Sequence, residues 1–313
     1  MSYEINLLSI VVPIYNDEEV LTELCKRLTA VMETLPCKNH EFVFVDDGSR
    51  DNSWKRMLEL QQQYPEIVAI KLAGNFGQQN AIAAGFGKAQ GDIVILMDSD
   101  LQDRPEDIHK LIDALYEKNT SMAISQWISR KDTPFKKFVS KLFYNVSNRL
   151  TTIKIQPRLG CFRALRKNVI DELQHFPETT STTLSILYFI EPNYTIVPLD
   201  RDARFAGASG YNMKKMLSLA MTRILAYSMF PLRFMTASGL LLCLSSFILA
   251  TILIVQRLCG NIIPGWTSMI VLMLLLFGIN FAFLGIFGEY IGMIYREVKQ
   301  RPKYIIQETR KKG

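Results

Sequence analysis

Two stretches without a charged residue dominate the second half of the chain: 234–256, between Arg233 and Arg257, and 258–288, between Arg257 and Glu289. They run to 23 and 31 residues, against the roughly 20 that a helix needs to cross the hydrocarbon of a bilayer. The rest of the 313 residues could not cover two apolar helices this long inside a globule. They are therefore expected to span a membrane at about 234–256 and 267–290, joined by a turn holding Gly260, Pro264 and Gly265. Lys214, Lys215, Arg223 and Arg233 precede the first run, and Arg296, Lys299, Arg301, Lys303, Arg310, Lys311 and Lys312 follow the second, whereas the connection has only Arg257. The positive-inside rule then puts both termini and the preceding domain on the cytoplasmic side of an inner membrane, in a multi-pass protein. The excess of 36 Lys+Arg over 30 Asp+Glu accordingly points to a bilayer and a phosphorylated substrate, and no nucleic-acid partner is expected.

Two further segments, 135–150 and 213–230, mix Lys/Arg with aromatic and aliphatic residues at helical spacing and are expected to lie in the headgroup layer. The N-terminus carries Glu4 where a signal peptide would carry basic residues, and its apolar stretch runs into Pro13, which reads as a buried strand. None of the five cysteines is spaced as CxxC, so neither a zinc site nor a disulfide framework is expected.

Apolar strands alternate with amphipathic helices over the first hundred or so residues: SIVVPIY, a helix over 18–35, EFVFVDDGS, a helix over 52–63, IVAIKLA, a helix over 78–88, DIVILMD and a helix over 106–117. Such alternation builds an α/β fold with a mostly parallel, Rossmann-like sheet covered by helices. Ligands of these sheets bind beyond the carboxyl ends of the strands. There the chain places PIYND, VDDGS and MDSDLQD.

Asp98 and Asp100 follow one strand with Ser99 between them, so both carboxylates aim to one side. A pair of this kind can share Mg2+ or Mn2+, hard cations that complete their shell with phosphate oxygens. Asp17, Asp46 and Asp47, at the first two strand ends, can accept hydrogen bonds from a nucleobase or ribose, and Tyr15 offers a ring to stack on the base. Taken alone, DDGS is equally a turn and a helix cap. Three acidic strand ends in one sheet are harder to read as turns only.

The succession SIVVPIYNDEE, VDDGSRDNS, NFGQQNAIAAGFGKAQGD and MDSDLQDRPEDI resembles family 2 glycosyltransferases of the GT-A fold, in the dolichol-phosphate mannose synthase-like branch. GCFRALRKNVID, RDARFAG, FPLR and FGEYIGMIYREVKQRPKYII extend the likeness to bacterial polyprenyl-phosphate sugar transferases, including phage bactoprenol glucosyltransferases and undecaprenyl-phosphate formamido-arabinose transferases. The resemblance implies a GT-A domain at 1–212, a juxtamembrane amphipathic helix at 213–231, a two-helix transmembrane hairpin within 232–292 and a basic tail at 293–313. It also implies an inverting transfer from a nucleotide-sugar, UDP-linked by likeness to the bacterial members, to polyprenyl phosphate. Pro13, Tyr15, Asp17 and Asp47, with Asp46 adjacent and Asp98 beyond, match nucleotide-holding positions; Asp98, Asp100 and Gln102 match the metal and diphosphate site. Arg163, Arg201 and Arg204 match basic positions near the donor and acceptor phosphates and, with Asp100, form the expected catalytic set.

Three positions depart from the pattern. Cys161 stands where relatives often have an acid, Trp127 where they often have Arg, and Gly210 where Lys is common. Loss of the acid is tolerable, because a lipid phosphate with a second pKa of about 6 is already largely dianionic at neutral pH and needs no base. Together the losses leave a catalytically inactive membrane scaffold or flippase partner as the alternative. A processive polysaccharide synthase is disfavoured by the lack of a QxxRW motif, and a channel by spans free of internal charge up to Glu289. Two lone spans leave room for contacts between copies in the membrane.

Overall fold

The computed structural model describes residues 3–128, 159–176, 178, 181–202, 228, 230–258 and 265–312. The amphipathic segment expected at 135–150, nearly all of the one at 213–230, Arg204 and Gly210 lie outside these residues. The chain divides into two compact units, one of Met1–Tyr144, Ile155–Asn212 and Gln300–Gly313, the other of Asn145–Lys154 and Met213–Lys299.

The first unit is an α/β layer structure. Strands β1 (Ile5–Ile14), β2 (Cys37–Asp46), β3 (Ile67–Leu72) and β4 (Ile93–Leu96) alternate with helices α1 (Leu21–Met32), α2 (Ser53–Gln63) and α3 (Gln78–Phe86). After α4 (Ile108–Glu117) come β5 (Met122–Trp127), β6 (Leu159–Arg166), α5 (Lys167–Gln174), α6 (Thr183–Ile190) and β7 (Thr195–Leu199). The central strands are near-continuous apolar runs because both faces are covered, as in parallel sheets generally. Helix α1 buries Leu21, Leu24, Cys25, Leu28, Val31 and Met32, and α4 buries Ile108, Leu111, Ile112 and Leu115. Those spacings form one stripe on a helix of period 3.6, and both stripes enter the same core.

Eight strands hydrogen-bond in the order β7-β5-β6-β4-β1-β2-β3-β8, with β8 at Ile306–Lys311. β1 runs parallel to β2 and β4, and β2 parallel to β3. β6 is antiparallel to β4 and pairs Arg163 with Leu96. Reversing that strand matters for the site: the start of β6, not its end, arrives at the edge where β1, β2 and β4 finish.

β8 is the main departure from expectation. Residues 306–311, expected within a basic tail, form an antiparallel edge strand on β3, pairing Val68 with Lys311 and Ile70 with Thr309. Its sequence, IQETRK, has too little apolar content to announce a strand, and the unpaired edge of β3 supplies the partner. Gln61 of α2 locks it, donating its amide to the carbonyl of Ile67 at 2.7 Å and that of Arg310 at 3.0 Å.

The second unit holds α7 (Phe230–Leu258) and α8 (Trp266–Lys299), which pack against each other as a hairpin. Within them Phe230–Leu249 and Leu275–Lys299 are long and apolar enough to cross a membrane, with mean hydropathy of 1.7 and 1.6 and, among the described residues, none that is buried. Phe247 is 73% exposed and Phe281 69%.

Because Gln61 satisfies two main-chain carbonyls at once, Gln61→Leu is expected to lower stability by about 1–3 kcal/mol. Denaturant unfolding checks the magnitude, and hydrogen exchange should show faster loss of protection along β3 and β8 than along β1.

Candidate active site

The turns after β1, β2 and β4 leave the sheet at one edge, since Ile14 pairs with Asp46 and Val11 with Leu96. They are knitted together by local hydrogen bonds. The Asn16 N–H donates to Ser49 Oγ at 3.0 Å, the Arg50 N–H to Asn16 Oδ1 at 2.8 Å and the Asp17 N–H to Ser53 Oγ at 3.0 Å. The Ser99 hydroxyl donates to Asp17 at 2.5 Å, joining the β1 and β4 turns. Gly48 has φ +68°, and a Cβ there would lie 2.5 Å from the carbonyl carbon of Gly74, so this crossing of two loops requires glycine.

The acids play distinct parts. Asp47 accepts the N–H groups of Phe76 at 2.7 Å and Gly77 at 2.9 Å, fixing the loop that starts α3. That loop delivers Gln78, whose amide donates to Asp98 at 2.7 Å. Asp46 is fully buried; one oxygen accepts the Ser49 N–H at 3.1 Å and Oδ2 has no hydrogen bond among the described residues. Asp100 accepts the N–H of Gln102 at 3.2 Å. Between those two residues Leu101 is held at φ +55°, a left-handed backbone that costs a β-carbon-bearing residue on the order of 1–3 kcal/mol. Pro13 is buried in β1 opposite Val45, and Tyr15 stands at the edge, 41% exposed.

Two arginines face this acidic edge. Arg163 is only 1% exposed. It donates through Nε to the carbonyl of Cys161 at 3.0 Å and through Nη2 to that of Gly160 at 2.9 Å, and its guanidinium lies 5.6 Å from the Tyr188 ring. Its Nη1 has no hydrogen bond among the described residues. A buried cation in this state is costly until an anion approaches. Arg201, two residues past β7, lies 3.9 Å from Asp98 and 3.5 Å from Asp103, with its guanidinium 4.3 Å from the Trp127 ring.

Burial and the Asp100 charge raise the Asp98 pKa, while a hydrogen bond from the Cys161 thiol and the charges of Arg201 and Arg163 pull it down. Burial also raises Asp17, against the Ser99 hydrogen bond. Asp103 is pushed up to about 7, by burial first, with Arg201 and the indole N–H of Trp127 opposing and Asp98 and Asp100 adding to the rise. Burial, then the Asp98 charge, lifts Cys161 well above the ordinary thiol range. A thiol held protonated in this way is a hydrogen-bond donor, not a nucleophile.

Among the described residues no three Asp, Glu, His or Cys side chains converge as a self-sufficient metal cage. The pair Asp98 and Asp100 nevertheless suits a cation of the magnesium class, which is commonly held by one or two carboxylates with substrate phosphates and water completing the shell. Asp46 Oδ2 and Arg163 Nη1, buried and without a hydrogen bond among the described residues, are polar atoms of the kind expected where a charged ligand belongs.

Residues 9–174 match the family described as Glycosyl transferase family 2. The chain belongs to this family. Over 302 residues it is 36% identical to an uncharacterized glycosyltransferase of Synechocystis, covering 96% of this chain and 95% of that one. Over 304 residues it is 35% identical to the bactoprenol glucosyl transferase of Shigella phage SfII, covering 96% and 98%. A mannosyltransferase from Pyrobaculum calidifontis, solved with GDP-Man and Mn2+, shares the fold at a TM-score of 0.50 and 16% identity, over 72% of this chain and 64% of its own. The fold is thus GT-A, as expected, with two apolar C-terminal helices added.

In this glycosyltransferase the structure brings Asp17, Asp46, Asp47, Asp98, Asp100, Arg163 and Arg201 to one edge of the sheet. Gln78, Ser99 and Asp103 are additions: all three lie in the quoted motifs, but which of them turn inward depends on loop geometry that spacing does not convey.

A carboxyl raised to about 7 in the fold, from about 3.9 unfolded, lends stability that is complete below the unfolded value and lost as pH rises through 7. Asp103→Asn removes the ionisation penalty, so the melting-temperature difference between variant and wild type should shift in the variant's favour from pH 5 to pH 8. Of a full span of roughly 4 kcal/mol, about 2–3 kcal/mol falls between these two pH values. A pH-independent difference would show that Asp103 ionises freely in the folded protein.

Proposed function

We propose that this glycosyltransferase moves a sugar from a nucleotide-linked donor, UDP-linked by preference, to a polyprenyl phosphate held in a bilayer. The observation that carries this reading is the buried guanidinium of Arg163, whose Nη1 has no hydrogen bond among the described residues, at an edge that holds Asp98 and Asp100 and where Arg201 supplies a second cation. Such a mixture of charges suits a diphosphate that arrives with its own divalent cation. Likeness over nearly the whole chain to a bactoprenol glucosyl transferase supports the lipid acceptor. The hairpin supports it too: the chain leaves the α/β unit before Met213 and rejoins it at Gln300. Spanning helices would then have both outer ends on one face of the bilayer, and the Lys/Arg excess flanking those ends favours the cytoplasmic one.

In the proposed reaction an oxygen of the lipid phosphate attacks the anomeric carbon as the bond to the nucleoside diphosphate breaks on the opposite face, inverting the centre. Mg2+ or Mn2+ bound through Asp98 and Asp100, with Gln102 adjacent, would supply Lewis-acid neutralisation of the leaving diphosphate. Arg163 and Arg201 add fixed positive charge where negative charge grows. Asp47 and Gln78 hold the α3 loop and Asp98 in place, and Tyr15 offers a stacking face to the base. No residue is needed to deprotonate the acceptor, which agrees with a protonated Cys161.

Asp100→Ala is expected to lower kcat by roughly 10²–10³-fold with the fold intact. The measurement is the mass of lipid product formed from undecaprenyl phosphate with a panel of UDP- and GDP-sugars. Unchanged turnover would refute the metal role, and absence of a sugar-lipid product with every donor would refute the transfer itself.

A further inference from the structure

Arg201 is held in an unusual way. Among the described residues its nearest carboxylate oxygens are 3.5 and 3.9 Å off, and its buried Nε makes no hydrogen bond. By contrast, Arg104 is hydrogen-bonded through Nη2 to the carboxylate of Asp202. What lies directly against the Arg201 guanidinium is the face of Trp127, at 4.3 Å. A ring face attracts a cation through its quadrupole and takes none of its N–H donors.

Trp127 is itself wedged. It ends β5 and pairs in the sheet with Leu199, two residues before Arg201. Across the strand, a Cβ on Gly160 would lie 3.0 Å from the indole Nε1 and 2.3 Å from Ser125 Oγ. Glycine at 160 is therefore the space into which the indole fits.

We propose that Trp127 is a positioning residue: it fixes Arg201 at the acidic edge by cation–π contact and so leaves the guanidinium donors for the diphosphate of the donor. This rests on the donor reading above. It also accounts for an aromatic residue at a position where the sequence resemblance leads one to expect a cation: the charge is carried by Arg201 and the ring holds it. A carboxylate in the same place would fix Arg201 equally well but would compete with phosphate for its N–H groups.

The test uses the full chain in nanodiscs with Mn2+ present, and compares Trp127→Leu, Trp127→Phe and Gly160→Ala with wild type. Affinity is read for UDP or GDP, whichever the wild type binds, and for the matching nucleoside without phosphates. Trp127→Leu should weaken diphosphate binding about ten-fold and leave nucleoside binding within about two-fold. Trp127→Phe, which keeps a ring, should recover most of the loss, whereas Gly160→Ala, which displaces the indole, should repeat it. Diphosphate binding unchanged in Trp127→Leu, or an equal loss for diphosphate and nucleoside, would overturn the assignment. Wild-type protein that binds neither diphosphate would overturn it together with the donor reading, which separates the two failures.

Discussion

Carboxylates gathered at the ends of neighbouring parallel strands repel one another, and burial sharpens the repulsion. Asp17, Asp98 and Asp103 all have raised pKa values for which burial is the leading cause. The edge is therefore under electrostatic tension, and the surrounding architecture answers it. Hydrogen bonds from Ser99 and Gln78 relieve part of the charge on Asp17 and Asp98. The remainder is met by Arg163 and Arg201, neither of which forms a tight pair with an acid among the described residues. A site left incompletely neutralised on both sides is suited to a ligand that is itself a cation joined to an anion.

Topology decides how the cations get there. Four parallel strands alone would carry only their own carboxyl-end loops to this edge. By running antiparallel to β4, β6 brings Gly160, Cys161 and Arg163 in from the opposite direction, and β7 then delivers Arg201 alongside Trp127. The left-handed backbone at Leu101 and at Gly48 lies in the turns that follow β4 and β2 at this edge. The familiar parallel half of the sheet thus supplies the acids, and the mixed half supplies their counterweights.

Legibility from sequence followed the same division. The strands and helices up to Glu117 were readable because each carries its own period: an unbroken apolar run for a strand buried on both faces, a three-and-four spacing for α1 and α4. Asp98 and Asp100 could be paired from their spacing along one extended segment. Trp127 looked like a lost charge, because its value depends on Arg201, which lies far along the chain and meets it only through β5–β7 pairing. Gln78 was hidden similarly, since a glutamine opening a helix has no special look until the loop held by Asp47 turns it toward Asp98. β8 had no local signal, being a polar hexapeptide whose strand character is conferred by β3.

That last pairing bears on how the molecule is made. β8 is synthesised after α7 and α8, so the sheet stays one strand short through the whole interval in which the two apolar helices emerge. During that time β3 presents a bare row of main-chain donors and acceptors, the kind of edge that recruits neighbouring chains. Until β8 emerges, the nascent α/β unit therefore carries an open sheet edge of the aggregation-prone kind, and any delay after α7 and α8 prolongs that exposure.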